Sequence, residues 1–245
     1  MRILDLFCGG GGAAMGLHRY FPDAEIVGVD SRRQPRYPFA FKQADAMEYP
    51  LAGFDFIWAS PPCQGYSVMR HLPWLKAKTY PLLIEPVRER LRGAGVPWII
   101  ENVMGARSAK AMDASWLCGT MFGKRFYRHR LFESNFLWLA PPHEQHAIRG
   151  GRMLAGRARD IVFAGARGGI DAWRRAGETN GIALGIGHQP GAALARAEMG
   201  CEWMSADEMS QAIPPCYSQY LAQFIPVENI ERIRESTPTE SAETP

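Results

Sequence analysis

Four consecutive glycines, Gly9–Gly12, separate an apolar segment from one with the composition of a helix. Residues 2–7 read RILDLF and predict a short buried strand, whereas residues 13–20 predict a helix. A strand, a glycine turn and a helix are typical of the first half of a nucleotide-binding βαβ unit, because glycine lets the backbone approach a ligand closely and the helix N-terminus adds partial positive charge. The next predicted strand, Glu25–Asp30, ends in an acid 18 residues after Gly12, close to the spacing at which a carboxylate meets ribose hydroxyl groups. The glycine turn therefore predicts a nucleotide-binding α/β fold.

The alternation of strand and helix continues along the chain. The apolar run Phe54–Ala59 and the segment Pro97–Ile100 predict two further buried strands. Between them, residues 80–94 predict an amphipathic helix despite Pro86, and residues 193–225 return to helical spacing. This alternation predicts a mainly parallel, doubly wound sheet with helices on both faces.

A cysteine follows the predicted strand Phe54–Ala59 in the sequence Ser60-Pro61-Pro62-Cys63. The two prolines fix φ and remove two backbone donors, so the loop is expected to be stiff and to aim the thiol. Ligands bind at the carboxyl ends of strands in open α/β sheets, which makes Cys63 a candidate nucleophile. The alternative interpretation is a buried structural thiol beside a proline turn.

Three other polar positions stand out. Asp45 could accept a hydrogen bond from an adenine amino group, but it could equally cap a helix or a turn. Glu101 follows the predicted strand that ends at Ile100. Arg128 and Arg130 are two residues apart, so on a strand they would project from the same face.

The composition is that of a globular protein, with 22% charged and 47% hydrophobic residues over 245 positions. No run of about 20 apolar residues predicts a membrane span, and the N-terminus lacks the apolar core of a signal peptide. The five cysteines are scattered and follow neither a disulfide nor a zinc pattern. We therefore expect a cytoplasmic protein in a reducing environment.

Charge is unevenly distributed, although the net charge is only +3. Seven arginines against two aspartates give residues 149–175 a net charge of +5. This segment is compatible with a phosphate backbone as partner, and equally with a solvated surface. The pair His143-x-x-His146 has no nearby metal-binding companions in the sequence, so no metal site is predicted.

Five motifs, in order, resemble those of the cytosine-specific DNA methyltransferases that modify ring carbon 5. The resemblance covers about residues 3–135 and 193–225 and leaves the middle of the chain unmatched. The matching segments are the cofactor loop Asp5–Gly12, the nucleophile motif Ser60–Ser67, the Glu-Asn-Val motif Glu101–Val103, the Arg-x-Arg motif Arg128–Arg130 and the late motif Gln211–Pro215.

The resemblance implies a Rossmann-like fold dependent on S-adenosylmethionine, with a role for each matching residue. Cys63 would add to cytosine carbon 6, Glu101 would contact ring N3 and the exocyclic amine with a raised pKa, Arg130 would bind O2, and Arg128 would order the catalytic loop. Phe7 would lie against the adenine, Asp30 on the ribose and Asp45 at the adenine amine. The full set of cofactor-binding residues that we predict is Phe7, Gly9, Gly10, Gly12, Asp30, Ser31, Asp45, Ala46, Pro62, Gln211 and Ala212.

The resemblance also predicts how the chain is divided and what it binds. We expect a catalytic domain at 1–135, a small target-recognition region at 136–192, helices at 193–228 that return to the catalytic domain, and a disordered tail at 229–245. Double-stranded DNA is the expected partner of a monomeric protein. The small size suggests a phage or prophage member, with a cognate restriction endonuclease as a further partner.

Three other functions are compatible with parts of this pattern. One branch of the same family methylates tRNA with the same Pro-Pro-Cys motif, and single-stranded RNA would suit a small recognition region. A protein that binds cofactor and DNA without catalysis would need neither Cys63 nor Glu101. An NAD-dependent oxidoreductase would rest on the glycine turn alone, which fits the G-x-G-x-x-G fingerprint only loosely.

Overall fold

The computed structural model describes residues 1–67, 79–124, 126, 128–143, 148–149, 152–153 and 192–228. The described strands are β1 Arg2–Leu6, β2 Glu25–Asp30, β3 Ala40–Gln43, β4 Phe56–Ala59, β5 Trp98–Val103, β6 Ser115–Leu117, β7 Arg130–Ser134, β8 Ile148–Arg149 and β9 Arg152–Met153. The described α-helices are α1 Gly12–Tyr20, α2 Ile84–Arg92, α3 Gly105–Ser108, α4 Ala192–Met199, α5 Ala206–Gln211 and α6 Pro215–Ala222. A 3-10 turn, Gly119–Phe122, follows β6.

Seven strands form one sheet in the order β3-β2-β1-β4-β5-β7-β6. The first five strands of that order are mutually parallel, whereas β7 runs antiparallel to both β5 and β6. The order 3-2-1-4-5 is that of the Rossmann sheet, here extended by an antiparallel hairpin. The predicted Rossmann-like, mainly parallel α/β fold is therefore confirmed.

Helices cover both faces of the sheet, as the alternating pattern predicted. Ile3 and Trp58 pack with Leu17 of α1 and Tyr217 of α6 on one face. Their strand neighbours Leu4 and Ile57 pack on the other face, in the cluster that contains Leu91 of α2 and Ala106 of α3. Side chains alternate between the faces because the strand period is two residues, and both faces are apolar because both are covered.

Several element boundaries differ from the prediction. The helix predicted for residues 80–94 begins only at Ile84, which places Pro86 in its first turn, where a backbone N–H has no helical acceptor to lose. The strand predicted to end at Ile100 continues to Val103, so Glu101 lies on the strand itself. Strand β3 was not predicted, because Ala40–Gln43 is a largely exposed edge strand without a buried apolar run.

Much of the predicted target-recognition region at 136–192 lies outside the described residues, as does the predicted tail from residue 229 onward. Within the region, β8 and β9 form a separate two-stranded antiparallel pair. The boundaries of these two segments remain predictions. In the part of the chain that the structure describes, no helix is both long and apolar enough to span a bilayer.

Candidate active site

The direction of the strand order changes between β1 and β4, and two loops leave the carboxyl ends of these neighbouring strands. One is the glycine turn at residues 7–12, and the other contains Cys63. The loops are joined where they begin, because the Ser60 N–H donates to the Leu6 carbonyl oxygen at 3.0 Å. Open α/β sheets bind ligands at such a change of direction, so the fold brings the predicted cofactor loop and the predicted nucleophile to one crevice.

The glycines of the turn serve different purposes. Gly9 has a φ of +49°, and no atom lies within 4 Å of the position a Cβ would occupy. A Cβ on Gly12 would lie 2.1 Å from the Ile213 carbonyl oxygen, and one on Gly10 would lie 3.1 Å from the Met204 side chain. Packing against the C-terminal segment therefore requires glycine at Gly12 and leaves little room at Gly10, whereas Gly9 has open space where a side chain would lie. Contact of these three glycines with a cofactor remains a prediction.

Asp30, at the end of β2, holds the glycine turn in place. Its carboxylate accepts hydrogen bonds from the N–H groups of Gly9 at 3.1 Å and Arg32 at 2.9 Å. The neighbouring Ser31 is exposed, and its carbonyl oxygen accepts a bond from Gln43. Asp30 thus lies beside the turn as the spacing predicted, and its contact with a ribose remains a prediction.

Asp45 caps a turn, which is one of the two roles that its sequence context allowed. Its Oδ1 accepts a hydrogen bond from the Met47 N–H at 2.8 Å, so the residues after β3 form a turn and not a regular element. The next residue, Ala46, is buried, and its carbonyl oxygen accepts a bond from Arg90. A bond from Asp45 to an adenine amine stays a prediction.

Phe7 follows β1 in the left-handed region, with a φ of +57°. Few residues other than glycine adopt this conformation, and such strained positions are common at binding sites. The partly buried Phe7 ring packs beside the cluster on the α2 face of the sheet. The backbone strain therefore coincides with the residue predicted to lie against the adenine.

Asp5 is a buried polar residue of β1, just before the glycine turn, to which the sequence analysis assigned no role of its own. It is 1% exposed, its Oδ2 accepts a hydrogen bond from the Tyr37 hydroxyl at 3.1 Å, and its buried Oδ1 has no hydrogen-bond partner. Burial raises the pKa of Asp5 to about 8, against the effect of the Tyr37 hydrogen bond. An acid inside the apolar strand RILDLF was the signal that could have identified it.

Hydrogen bonds hold the loop that carries Cys63, and the stiffness predicted from its two prolines remains a prediction. The Cys63 carbonyl oxygen accepts from the N–H groups of Tyr66 at 3.0 Å and Ser67 at 2.9 Å, which closes a tight turn. The Asn102 side chain donates to the Pro61 carbonyl oxygen at 3.0 Å and ties the loop to β5. Both Pro62 and Cys63 are half-buried.

Glu101 lies on β5 next to this loop and is 5% exposed. The Arg130 Nε lies 3.0 Å from its Oε1. Burial raises the pKa of Glu101, although the charges of Arg130 and Arg128 and a hydrogen bond with Ser60 oppose the change. This direction agrees with the raised pKa that the resemblance implies for this acid.

Cys63 and Glu101 are close enough for the charge of one to change the pKa of the other. Burial raises the pKa of the Cys63 thiol first, and the nearby Glu101 carboxylate raises it further, whereas Arg130 and Arg128 lower it. The antiparallel run of β7 explains the arrangement, because its first residue, Arg130, is paired with Val103 near the carboxyl end of β5. The sheet thus brings all four predicted catalytic residues close to the carboxyl end of β5.

Arg128 differs from its prediction, because it precedes β7 and does not share a strand face with Arg130. Its Nη2 donates to the Ser210 carbonyl oxygen at 2.7 Å, and its own carbonyl oxygen accepts from the Tyr217 hydroxyl at 2.6 Å. Burial and the charge of Arg130 lower its pKa to about 9. Arg128 therefore connects the start of β7 to α5 and α6, and its predicted ordering of the catalytic loop remains a prediction.

The late motif lies beside the glycine turn. Gln211 ends α5 and is exposed, Ala212 is buried, and the following Ile213 carbonyl oxygen meets Gly12. The indole N–H of Trp203 also donates to the Gly10 carbonyl oxygen at 2.8 Å. The C-terminal helices thus support the turn, and contact of Gln211 or Ala212 with a cofactor remains a prediction.

No family model matches the chain, and no curated protein matches it. Among solved structures it is similar to the Entamoeba histolytica methyltransferase EhMeth, with a TM-score of 0.45 and 12% identity over 96% of this chain and 97% of that one. It is also similar to the plantazolicin methyltransferase BpumL in complex with SAH, with a TM-score of 0.31 and 18% identity over 47% and 45% of the two chains. A predicted O-methyltransferase from Agrobacterium tumefaciens gives a TM-score of 0.34 and 15% identity over 57% and 76%. These likenesses are remote, so the fold is defined by the strand order and the chemistry by the side chains of the crevice.

Proposed function

We propose that this protein is an S-adenosylmethionine-dependent methyltransferase that modifies carbon 5 of cytosine in double-stranded DNA. One observation carries the proposal. Cys63 lies beside the Glu101–Arg130 pair at the carboxyl ends of the parallel strands, where the glycine turn also lies. A thiol, a buried carboxyl group and a guanidinium at one crevice are the groups needed to activate a pyrimidine ring by covalent addition.

The crevice has features that suit the proposed cofactor. Gly9 leaves open space at the turn, and Asp30 lies at the end of the adjoining strand. The free N–H groups at the start of α1 add partial positive charge. When bound, S-adenosylmethionine would supply the methyl group as an electrophile beside the half-buried Cys63 loop.

Cys63 would supply the nucleophile. Cytosine carbon 5 is itself a poor nucleophile, and addition of the Cys63 thiolate to carbon 6 converts the ring to an enamine that can accept a methyl group at carbon 5. The methylated ring then loses its carbon 5 proton to solvent, and the electrons of that C–H bond restore the ring double bond as the thiolate is expelled from carbon 6. The carbon–sulfur bond that forms in the first step is the bond that breaks in the last.

Glu101 and Arg130 would stabilise the charge that this addition places on the ring. A protonated Glu101, favoured by its burial, can donate to ring N3 while its other oxygen accepts from the exocyclic amine. Arg130 can donate to O2 of the base and at the same time hold Glu101 in position. Both groups would act at a site that solvent reaches poorly, where such interactions are strong.

Duplex DNA as substrate requires extrusion of the target nucleotide, which costs about a few kcal/mol. The arginine-rich residues 149–175 are a suitable source of phosphate contacts that offset this cost. Phosphate contacts of this kind carry no sequence information by themselves. The target sequence is therefore a matter for experiment.

The experiment compares transfer of a labelled methyl group from S-adenosylmethionine to duplex DNA and to tRNA. We expect the label in DNA, and after digestion to nucleosides we expect to recover it as 5-methyldeoxycytidine. Label confined to tRNA would replace the DNA assignment with the RNA alternative. Cofactor binding without transfer to either polymer would support the non-catalytic alternative.

A further inference from the structure

Three potential metal ligands come together at the hairpin edge of the sheet, away from the glycine turn. Cys118 follows β6, His129 precedes β7, and His143 lies in the segment after β7. One ligand atom from each residue, the cysteine sulfur and an imidazole nitrogen from either histidine, lies within 4.8 Å of the other two. The sequence spacing predicted no metal site, because the antiparallel hairpin and the chain reversal after β7 are what bring positions 118, 129 and 143 together.

We propose that Cys118, His129 and His143 bind one zinc ion. A thiolate and two neutral imidazoles are the donors that Zn²⁺ favours, whereas calcium and magnesium prefer oxygen ligands. Tetrahedral coordination at the usual bond lengths needs ligand atoms roughly 3.3–3.6 Å apart. The two histidines would therefore close in by about 1 Å, and both are only partly buried, which leaves room for that movement.

The surroundings of the three residues suit such a site. Trp116 packs edge-on against both imidazoles, at ring-centroid distances of 4.9 Å from His129 and 4.7 Å from His143. The Thr120 hydroxyl donates to the Cys118 sulfur at 3.4 Å, and a donor to the sulfur stabilises its thiolate form.

A cleft provides access to the cluster. It has a volume of about 450 Å³ and is lined by His143, Trp116, Met121, Ser115 and Asp113 among others. Because the cleft is open, an ion can enter from solvent and a water molecule can complete a four-coordinate site. Of the three ligands, His143 lines the cleft, whereas Cys118 is fully buried.

The zinc ion would fasten the segment that leads toward residue 144 to the edge of the catalytic sheet. His129 lies between Arg128 and Arg130, so the ion would also fix the start of β7, where both arginines are held. Cys63 is not among its ligands, so the zinc ion would have a structural role. This role does not depend on which nucleic acid is the substrate.

The test measures zinc directly and does not use activity. Protein freed of metal with a chelator and kept reduced is titrated with Zn²⁺ in competition with a metal indicator. We expect one tight site per chain and, for Cys118→Ser and His143→Gln separately, affinity at least about 100-fold weaker, because loss of a direct ligand costs at least as much as loss of an outer-shell partner. Cobalt substitution should give a sulfur-to-metal charge-transfer band that Cys118→Ser abolishes.

Two cysteine variants serve as matched controls. Cys216→Ser and Cys63→Ser each change a partly buried cysteine outside the cluster, and Cys63 is also the proposed nucleophile. Both variants should keep the tight zinc site. Circular dichroism identifies any variant that fails to fold, and the partly exposed His143 decides the matter should Cys118→Ser do so. Unchanged affinity in folded His143→Gln, or loss of zinc only in Cys63→Ser, would overturn the proposal.

Discussion

The surroundings of the candidate nucleophile favour its protonated thiol form. Burial and the Glu101 carboxylate raise the pKa of Cys63, and the two arginines lower it only in part. A protonated Glu101 would remove one of the causes that raise the thiol pKa. The ionisation of Cys63 and the protonation of Glu101 are therefore coupled, and each favours the state that the proposed chemistry needs.

The pH dependence of methyl transfer reports this coupling. In the parent protein the loss of the Glu101 proton offsets the rise in thiolate with pH, so the thiol is followed in Glu101→Gln. Below the pKa of Cys63 the thiolate fraction rises about tenfold per pH unit, so the single-turnover rate of this variant should increase with pH between about 7 and 9. The rate is measured at saturating cofactor, with cofactor binding followed over the same range as a control. A rate that is flat or falls over this interval, with binding unchanged, would contradict a thiol with a raised pKa as nucleophile.

Glu101→Gln tests the role of the acid. The amide keeps the shape of the side chain but cannot deliver a proton to ring N3, so we expect a loss in the rate of about 100-fold or more. Glu133→Gln is the matched control. Glu133 lies on β7 of the same sheet, and its carboxylate pairs with Arg88 of α2 and not with the groups of the crevice. A near-normal rate for folded Glu101→Gln would exclude the acid from the chemistry.

At the scale of elements, the glycine turn combines two demands that the sequence pattern alone cannot separate. Gly12 must lack a side chain because α1 lies against the segment after α5, whereas Gly9 has open space and a positive φ. Within the run Gly9–Gly12, Gly12 therefore allows the helix to pack closely, and Gly9 leaves space for a ligand.

Paired alanine variants separate the two demands. Gly12→Ala places a Cβ 2.1 Å from the Ile213 carbonyl oxygen, so overpacking should lower the free energy of unfolding by about 1–3 kcal/mol. Gly9→Ala should cost about 1–2 kcal/mol for its left-handed backbone and should also weaken cofactor binding. Denaturant unfolding and calorimetric cofactor titration measure both. Equal effects of the two variants on cofactor binding would contradict the distinction.

Elements with both faces buried could be predicted from the sequence, and elements defined by tertiary pairing could not. Strand β2 matches its predicted bounds, Glu25–Asp30, because its apolar run is buried in the sheet. Strand β3 was missed because its exposed edge position imposes little pattern. The position of Arg128 before β7, the turn role of Asp45 and the cluster of Cys118 with two histidines all depend on contacts between distant segments, which spacing does not encode.

For the whole molecule, Asp5 makes stability depend on pH. Its folded pKa of about 8 exceeds the unfolded value of 3.8, so the folded state holds a proton that the unfolded chain releases between these values. Its contribution is present below about pH 4 and is lost as pH rises toward 8, by up to about 1.4 kcal/mol per pH unit.

Asp5→Asn removes this group while keeping an acceptor for the Tyr37 hydroxyl. The free energy of unfolding, measured in urea from about pH 5 to 8, should therefore fall more steeply for the parent protein than for the variant. The difference between the two curves isolates Asp5 from other titrating groups. Parallel curves would show that Asp5 is ionised in the folded protein.

The central claim is that Cys63 transfers a methyl group to cytosine carbon 5 in DNA, and bisulfite sequencing tests it most directly. DNA is sequenced from a host that expresses the protein and from one that expresses Cys63→Ser, with comparable amounts of folded protein in both. We predict protected cytosines in a defined sequence context with the parent protein and none with the variant. Equal protection by both proteins would contradict Cys63 as the nucleophile, and the absence of protected cytosines with the folded parent protein would contradict DNA as the substrate.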